Sequence, residues 1–257
     1  MTDDPHHFPG PGTLDRALAL VRFLRRECPW DARQTAESLI PHLLEETHEV
    51  VDAIRRGDDD ELEDELGDLL LNLAFQIVVA EERGLIAADT VYARLERKMI
   101  ARHPHLFGGG ERRAWEELKA AERAEGQGVL RGLAAGLDPL TRSYRIQERV
   151  AGVGFDWDDW RGPRDKVAEE LDEVARAVEA GDTEAVTEEV GDLLFAAVNL
   201  ARRAQVHPTT ALARANGKFT ARFEAVERIA AERGLDMRTA GLEALDAIWD
   251  EVKHSQS

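Results

Sequence analysis

Apolar residues recur every three or four positions along most of this chain, and they rarely alternate one by one with polar residues. The series Leu62, Leu66, Leu69, Leu73 and Ile77 is one example, because this spacing places five apolar side chains along one stripe of a helix. Alanine, leucine, glutamate and arginine, which favour helices, dominate these segments, whereas signals for strands are sparse. The pattern predicts an all-α protein.

The same helical pattern occurs twice. Residues 41–76 align without a gap with residues 165–200 at a constant offset of 124 (169 − 45 = 124), and acidic, glycine and leucine positions are identical. Further along, KMIAR (98–102) resembles KFTAR (218–222), and WEELK (115–119) resembles WDEVK (249–253). The two motifs occur in the same order in both halves. A repeat of this kind predicts two tandem helical-bundle domains. The predicted boundaries are an N-terminal domain at 1–124, a glycine-rich linker at 125–139 and a C-terminal domain at 140–257.

Each half contains a Gly-Asp dipeptide between two helical segments, at Gly57-Asp58 and at Gly181-Asp182. Glycine suits the left-handed residue that ends a helix, and aspartate suits the N-cap of the next one. Because the connection is so short, the two helices are expected to be antiparallel neighbours.

Acidic residues stand three apart on both helices of each pair, so each helix presents two carboxylates on one face. Across an antiparallel pair, four carboxylates would converge, which is unfavourable without a cation but suits Mg²⁺ well. Two of them, Asp68 and Asp192, stand in apolar stretches, ELGDLLL and EVGDLLF, which predicts burial rather than a solvated face. The predicted ligands are Glu46, Glu49, Glu65 and Asp68 in the first half, and Glu170, Glu173, Glu189 and Asp192 in the second.

Charge and cysteine content narrow the function classes. The chain carries 33 basic and 51 acidic residues, a net charge of −18, which argues against nucleic acid or an anionic membrane as a general partner. Its single cysteine, Cys28, excludes an intramolecular disulfide and fits the reducing cytoplasm. The longest apolar stretch is short and interrupted by polar residues, so no membrane span is expected.

Basic and aromatic residues accompany the carboxylates in both halves. Lysine and arginine four apart on one helical face could hold a phosphate chain. A tryptophan one turn before a lysine could stack on a base or pack in a core or dimer interface, and an asparagine at 199, opposite Phe75, could hydrogen-bond a ligand. The candidate substrate-binding residues are Lys98, Arg102, Trp115 and Lys119, and then Asn199, Lys218, Arg222, Trp249 and Lys253.

These motifs resemble the MazG-type nucleoside triphosphate pyrophosphohydrolases in their tandem-domain form. The two EExxE…ExxD segments carry most of the similarity, together with CPWD, RHPHLF, VGFDW and ANGKFTARF. The resemblance implies an all-α, cytoplasmic homodimer that uses Mg²⁺, with Mn²⁺ as an alternative, to hydrolyse NTP and dNTP to the monophosphate and pyrophosphate. Such an enzyme would control or sanitise the nucleotide pool.

The resemblance also implies residue roles. The four acidic residues of the second half would hold the metal, Glu169 would orient or activate water for attack at the α-phosphorus, and Lys218 with Arg222 would stabilise the developing charge. The first half matches at the metal positions but has ERKMIARH where the second has ANGKFTARF, which makes its activity more doubtful than its metal binding.

Two other readings remain open. A carboxylate-bridged di-iron or di-manganese oxidoreductase would use Glu45-x-x-His48, but the second half has Asp172 in place of the histidine. A non-catalytic helical interaction module would tolerate replacement of the acidic pairs by glutamine without loss of any activity.

Overall fold

A computed structural model describes residues 14–107 and 128–255 of the chain. By its contacts the chain divides into two compact units, Met1–Arg113 and Ala114–Ser257. Every regular element in the described ranges is a helix, so the prediction of an all-α protein is confirmed. The exact domain and linker boundaries stay a prediction, because residues 108–127 lie outside the described ranges.

Unit 1 is built on two long antiparallel helices and a shorter one that packs against the second of them. The helices are α1 Leu14–Glu27, α2 Pro29–Ala32, α3 Ile40–Arg56, α4 Asp59–Glu82, α5 Ala88–Arg102 and α6 Pro104–Phe107. Helix α4 packs against both α3 and α1, and α5 contacts α4.

The core of unit 1 lies between α1 and α4. Leu18 and Val21 of α1 pack against Ala74, Phe75 and Val78 of α4, and all five are at least 95% buried. Burial of such side chains contributes on the order of 1.5–3 kcal/mol each for the larger ones. This cluster fixes α1 against the C-terminal half of α4.

The leucine series that predicted α4 does not form its buried face. Leu66 and Leu73 are each about half exposed, at 49% and 47%, although both lie on the predicted helix. Helix α4 has apolar residues on more than one face, and the face that carries Ala74, Phe75 and Val78 is the one that packs against α1. An exposed leucine stripe remains on its N-terminal half.

Unit 2 repeats the antiparallel pair and adds a helical hairpin. The helices are α7 Pro139–Ala151, α8 Arg161–Ala180, α9 Thr183–Arg203, α10 Pro208–Glu232 and α11 Gly241–Ser255. Helices α8 and α9 pack along most of their length, α7 lies against α9, and α10 contacts both α7 and α11.

The Gly-Asp turns are confirmed in both units. Gly57 and Gly181 end α3 and α8 with φ of 69° and 71°, in the left-handed region that favours glycine. Asp58 Oδ1 accepts a hydrogen bond from the Glu61 amide, and Asp182 Oδ1 accepts from the amides of Glu184 and Ala185, all at 3.1 Å. These caps start α4 and α9 and bring each long helix back along its partner.

The α10–α11 hairpin has its own core of Ala225, Val226 and Ala230 against Ile248 and Val252. It is joined to α7 through the Thr141 and Thr209 hydroxyls, 3.2 Å apart, and through the rings of Tyr144 and His207. None of the helices in residues 14–107 and 128–255 combines the length and apolar character that crossing a membrane requires.

Candidate metal centre

Three carboxylates converge where α8 and α9 run side by side in unit 2. Glu170 and Glu173 come from α8 and Glu189 from α9, and one carboxylate oxygen of each lies within 4.8 Å of the other two. The spacing of three residues on α8 and the Gly181-Asp182 turn produce this arrangement, because they set both helices at matching heights. Carboxylate oxygens at such distances suit a hard divalent cation.

Glu170 is the buried member of this trio, with a side chain only 4% exposed. Its Oε1 accepts from Lys166 Nζ at 2.5 Å, whereas its Oε2 is buried with no hydrogen-bond partner. A buried carboxylate oxygen without a partner is costly, so it normally faces a cation or donor. The residues present therefore fit a bound metal ion.

The electrostatics of the trio point the same way. Burial raises the pKa of Glu189, and the nearby charges of Glu173 and Glu170 raise it further. Part of the repulsion is offset by Lys166, whose pKa is raised by its hydrogen bonds to Glu170 and Glu169. The cluster as folded thus carries more negative charge than its own cations neutralise, and a divalent ion would remove this imbalance.

The fourth predicted ligand differs from expectation in both units. Asp192 and Asp68 are exposed, not buried, and neither belongs to the convergent trio of its unit. The apolar neighbours that predicted burial are themselves exposed: Leu194 by 59% and Leu70 by 44%. Asp192 still lies near enough to contribute to the raised pKa of Glu189, so it borders the trio on α9.

Unit 1 contains the equivalent trio in a more open form. One carboxylate oxygen each of Glu46, Glu49 and Glu65 lies within 4.8 Å of the others, with Glu46 and Glu65 half-buried and Glu49 exposed. Burial and then the charge of Asp68 raise the pKa of Glu46. The two trios occupy identical positions in the repeat, at an offset of 124 (170 − 46 = 124).

The predicted phosphate-binding residues of unit 2 lie on the other pair of helices. Lys218 is exposed and Arg222 half-buried on α10, and Trp249 and Lys253 lie on α11. Phe219 connects the two helices, since its ring centroid is 5.1 Å from that of Trp249 and 5.9 Å from that of Phe223.

The remaining predicted residues are placed as follows. Glu169 is exposed beside the trio and accepts from Lys166 at 3.0 Å. Asn199 lies on α9, where its Oδ1 accepts from Arg202. In unit 1, Lys98 is exposed and Arg102 half-buried on α5, while Trp115 and Lys119 lie outside the described residues.

Sequence reasoning missed Lys166. The signal in the sequence was a basic residue four positions before the first metal-site glutamate. This basic position recurs in unit 1 as His42, at the same offset of 124 (166 − 42 = 124). His42 Nδ1 lies 3.7 Å from Glu45 Oε2, so both units place a basic side chain at the start of the acidic face.

Comparison with known proteins agrees with this geometry. The model of the MazG nucleotide pyrophosphohydrolase domain matches residues 34–107 and 164–227, one segment in each unit. The nucleoside triphosphate pyrophosphohydrolase of Escherichia coli strain K12 is 41% identical over 257 aligned positions, which cover 95% of this chain and 98% of the relative. A Thermotoga maritima relative, a nucleoside triphosphate pyrophosphohydrolase/pyrophosphatase, is 41% identical over 230, covering 88% and 89%.

Proposed function

Because the chain belongs to the MazG family of nucleotide pyrophosphohydrolases, we propose that the carboxylate trio of α8 and α9 is its metal-dependent active site. The chain is a nucleoside triphosphate pyrophosphohydrolase, and its proposed reaction converts NTP or dNTP to the monophosphate and pyrophosphate. One observation carries the assignment of the site: Glu170 Oε2 is buried without a partner next to two further carboxylates.

Glu170, Glu173 and Glu189 would hold Mg²⁺, or Mn²⁺ in its place, and Asp192 would complete the site from the exposed edge of α9. A bound Mg²⁺ supplies neutralisation of phosphate charge and a lower pKa for a coordinated water. The same trio in unit 1, Glu46, Glu49 and Glu65 with Asp68 beside it, is proposed as a second metal site.

The residues of the chain would perform the remaining steps. Glu169, which is not in the trio, would accept a proton from the attacking water, and its exposure beside the trio leaves it accessible to solvent. Lys218 and Arg222, one turn apart on α10, would stabilise the negative charge that develops as pyrophosphate leaves. Trp249 and Lys253 on α11 would complete the substrate site, and in unit 1 Lys98 and Arg102 would bind phosphate.

We also infer a homodimer. The outer faces of α8 and α9 expose large apolar side chains, with Leu171, Val178 and Leu194 each more than half accessible. An apolar surface of this kind is unfavourable in water and is typical of an interface. A second copy of the chain that covers these two helices would bury it next to the metal site.

Hydrolysis in ¹⁸O-labelled water tests the proposed reaction. Water attack at the α-phosphorus places the label in the nucleoside monophosphate and leaves pyrophosphate unlabelled. Label in pyrophosphate would place the attack at the β-phosphorus, and nucleoside diphosphate with orthophosphate as products would overturn the assignment. Excess EDTA should stop the reaction, and added Mg²⁺ should restore it.

A further inference from the structure

The ammonium group of Lys166 lies between two carboxylates that have different proposed roles. Its Nζ is 2.5 Å from Oε1 of Glu170, the buried member of the metal trio, and 3.0 Å from Oε1 of Glu169, the exposed glutamate beside it. Both contacts follow from the helix, because residues three and four positions after Lys166 on α8 lie on the same face. One cation thus joins a proposed metal ligand to the residue proposed to accept a proton from water.

The two oxygens of Glu170 have different surroundings. Oε1 accepts from the lysine, whereas Oε2 is buried and has no hydrogen-bond partner. A carboxylate oxygen at this depth cannot use bulk water in place of a missing partner. Because Lys166 occupies Oε1, Oε2 is the oxygen that is left for a cation.

Metal-binding carboxylates are commonly held by hydrogen bonds of their own, which fix their orientation towards the metal. Loss of such a partner typically lowers metal affinity or activity by about 10- to 100-fold. Lys166 fits this description, since it bonds one oxygen of Glu170 and leaves the other for the metal. Its contact with Glu169 would orient the neighbouring carboxylate at the same time.

The equivalent residue of unit 1 makes a different contact. His42 stands opposite Lys166 at the offset of 124, and its Nδ1 lies 3.7 Å from Oε2 of Glu45, the counterpart of Glu169. Within residues 14–107, no ion pair to Glu46, the counterpart of Glu170, accompanies it. The two trios therefore differ in whether a cation holds the first ligand of the site, and unit 2 is the one in which it does.

We propose that Lys166 is a positioning residue of the metal centre, which holds Oε1 of Glu170 so that Oε2 faces the metal and keeps Glu169 beside the same ligand. This rests on the proposed function of the carboxylate trio. In this role Lys166 contacts neither the metal nor the nucleotide, and it acts through the two glutamates. The trio of unit 1, which lacks such a contact, is expected to bind a divalent cation more weakly.

Metal affinity separates an effect of position from an effect of charge. If Lys166 acted only through its charge, its removal would reduce the repulsion of a nearby cation and would tighten metal binding. If Lys166 positions Glu170, its removal leaves the carboxylate free to turn and weakens metal binding. The direction in which Kd changes therefore distinguishes the two effects.

Mn²⁺ binding is measured by electron paramagnetic resonance without nucleotide. The parent protein is the whole chain with Glu46→Gln and Glu65→Gln, which remove the trio of unit 1 and leave that of unit 2. We expect Lys166→Met in this parent to raise the Kd for Mn²⁺ about tenfold. Lys166→Arg should restore most of the affinity, because a guanidinium also has donors for both carboxylates.

Arg176→Met is the matched control. It removes a cation from the same helix that also pairs with a member of the trio, Glu173, at 3.0 Å. The Glu173 side chain is 32% exposed, so water can take the place of the arginine. We expect the Kd for Mn²⁺ to stay the same or to fall in this variant. A Kd for Lys166→Met that is likewise unchanged or lower would overturn the positioning role.

Turnover gives a second readout, which concerns the contact with Glu169. Saturating Mg²⁺ compensates for a loss of metal affinity, so we expect kcat of Lys166→Met to remain about tenfold below that of the parent, with KM for the nucleotide unchanged. A raised KM with an unchanged kcat would mean that the lysine binds the substrate, and this result would overturn the proposal. A parent protein that binds no Mn²⁺ would instead refute the metal centre itself.

Discussion

The substitution Glu170→Gln should make the protein more stable than wild type without metal and less stable than wild type with metal. Without metal, wild type keeps the buried Oε2 of Glu170 without a partner, on a carboxylate that has one oxygen within 4.8 Å of oxygens of Glu173 and Glu189. A glutamine amide has nearly the same shape, removes the charge and can donate to one of these neighbours. The ion pair with Lys166 is lost, but that lysine is 42% exposed and contributes little.

The expected magnitudes decide which form is more stable. Removing an unsatisfied buried acceptor is worth roughly 1–3 kcal/mol, so we expect the variant to be about 1–2 kcal/mol more stable than wild type in EDTA. Metal at a concentration about 100 times its Kd adds about 2.7 kcal/mol to a protein that binds it only when folded. Wild type should gain this and the variant little, so wild type becomes the more stable form in Mg²⁺.

Urea denaturation in EDTA and in Mg²⁺ measures both differences. Glu179→Gln is the matched control, because it removes the same charge from the exposed side of α8 and should respond to Mg²⁺ as wild type does. A Glu170→Gln variant less stable than wild type in EDTA would mean that the carboxylate serves the fold through Lys166. An equal gain from Mg²⁺ in both proteins would refute Glu170 as a ligand.

Two further predictions concern the frame that carries the site. Burial raises the pKa of Asp156, but hydrogen bonds from Arg202 and the Trp157 amide outweigh it and leave the pKa below the ordinary 3.8. The stability that these hydrogen bonds give is present above pH 3.8 and is lost as the pH falls through the lowered pKa. Asp156→Asn should therefore lower the free energy of unfolding by roughly 1–3 kcal/mol at neutral pH and leave it unchanged in strong acid. Urea midpoints measured as a function of pH check this. Gly181→Ala should lower stability by about 1–2 kcal/mol in thermal melts, because φ is 71° at that residue. Gly191 is helical and has open space where a Cβ would lie, so Gly191→Ala should leave stability unchanged or raise it. Equal effects of the two substitutions would contradict this reasoning.

The repeat and the turn chemistry made much of the fold predictable. The helical spacing of apolar residues predicted the all-α fold class. The Gly-Asp pairs predicted antiparallel neighbouring helices, because a left-handed residue and a capping aspartate suit so short a connection. Three members of each predicted carboxylate quartet converge for the same reason.

The sequence did not show which apolar face of a helix packs inside the unit. Asp68 and Asp192 were expected to be buried because leucines surround them, yet several of those leucines, Leu66, Leu70 and Leu194, are exposed. Apolar residues on several faces are compatible with either a core or an exposed interface, and local pattern cannot separate the two. A cavity between α7 and α9 of unit 2 was equally hidden, since it depends on Gln147 and Asn199, which are 52 residues apart in the sequence (199 − 147 = 52).

Turnover by two double variants tests the central claim most directly. The assay follows pyrophosphate and monophosphate release from nucleoside triphosphates in Mg²⁺ by wild type, by Glu170→Gln/Glu189→Gln and by Glu46→Gln/Glu65→Gln. We expect the first double variant to lose turnover by several orders of magnitude and the second to keep most of it, because within the described residues only the trio of unit 2 has a fully buried ligand, Glu170. Full activity in Glu170→Gln/Glu189→Gln would contradict the account, since it would place the chemistry outside the α8–α9 trio.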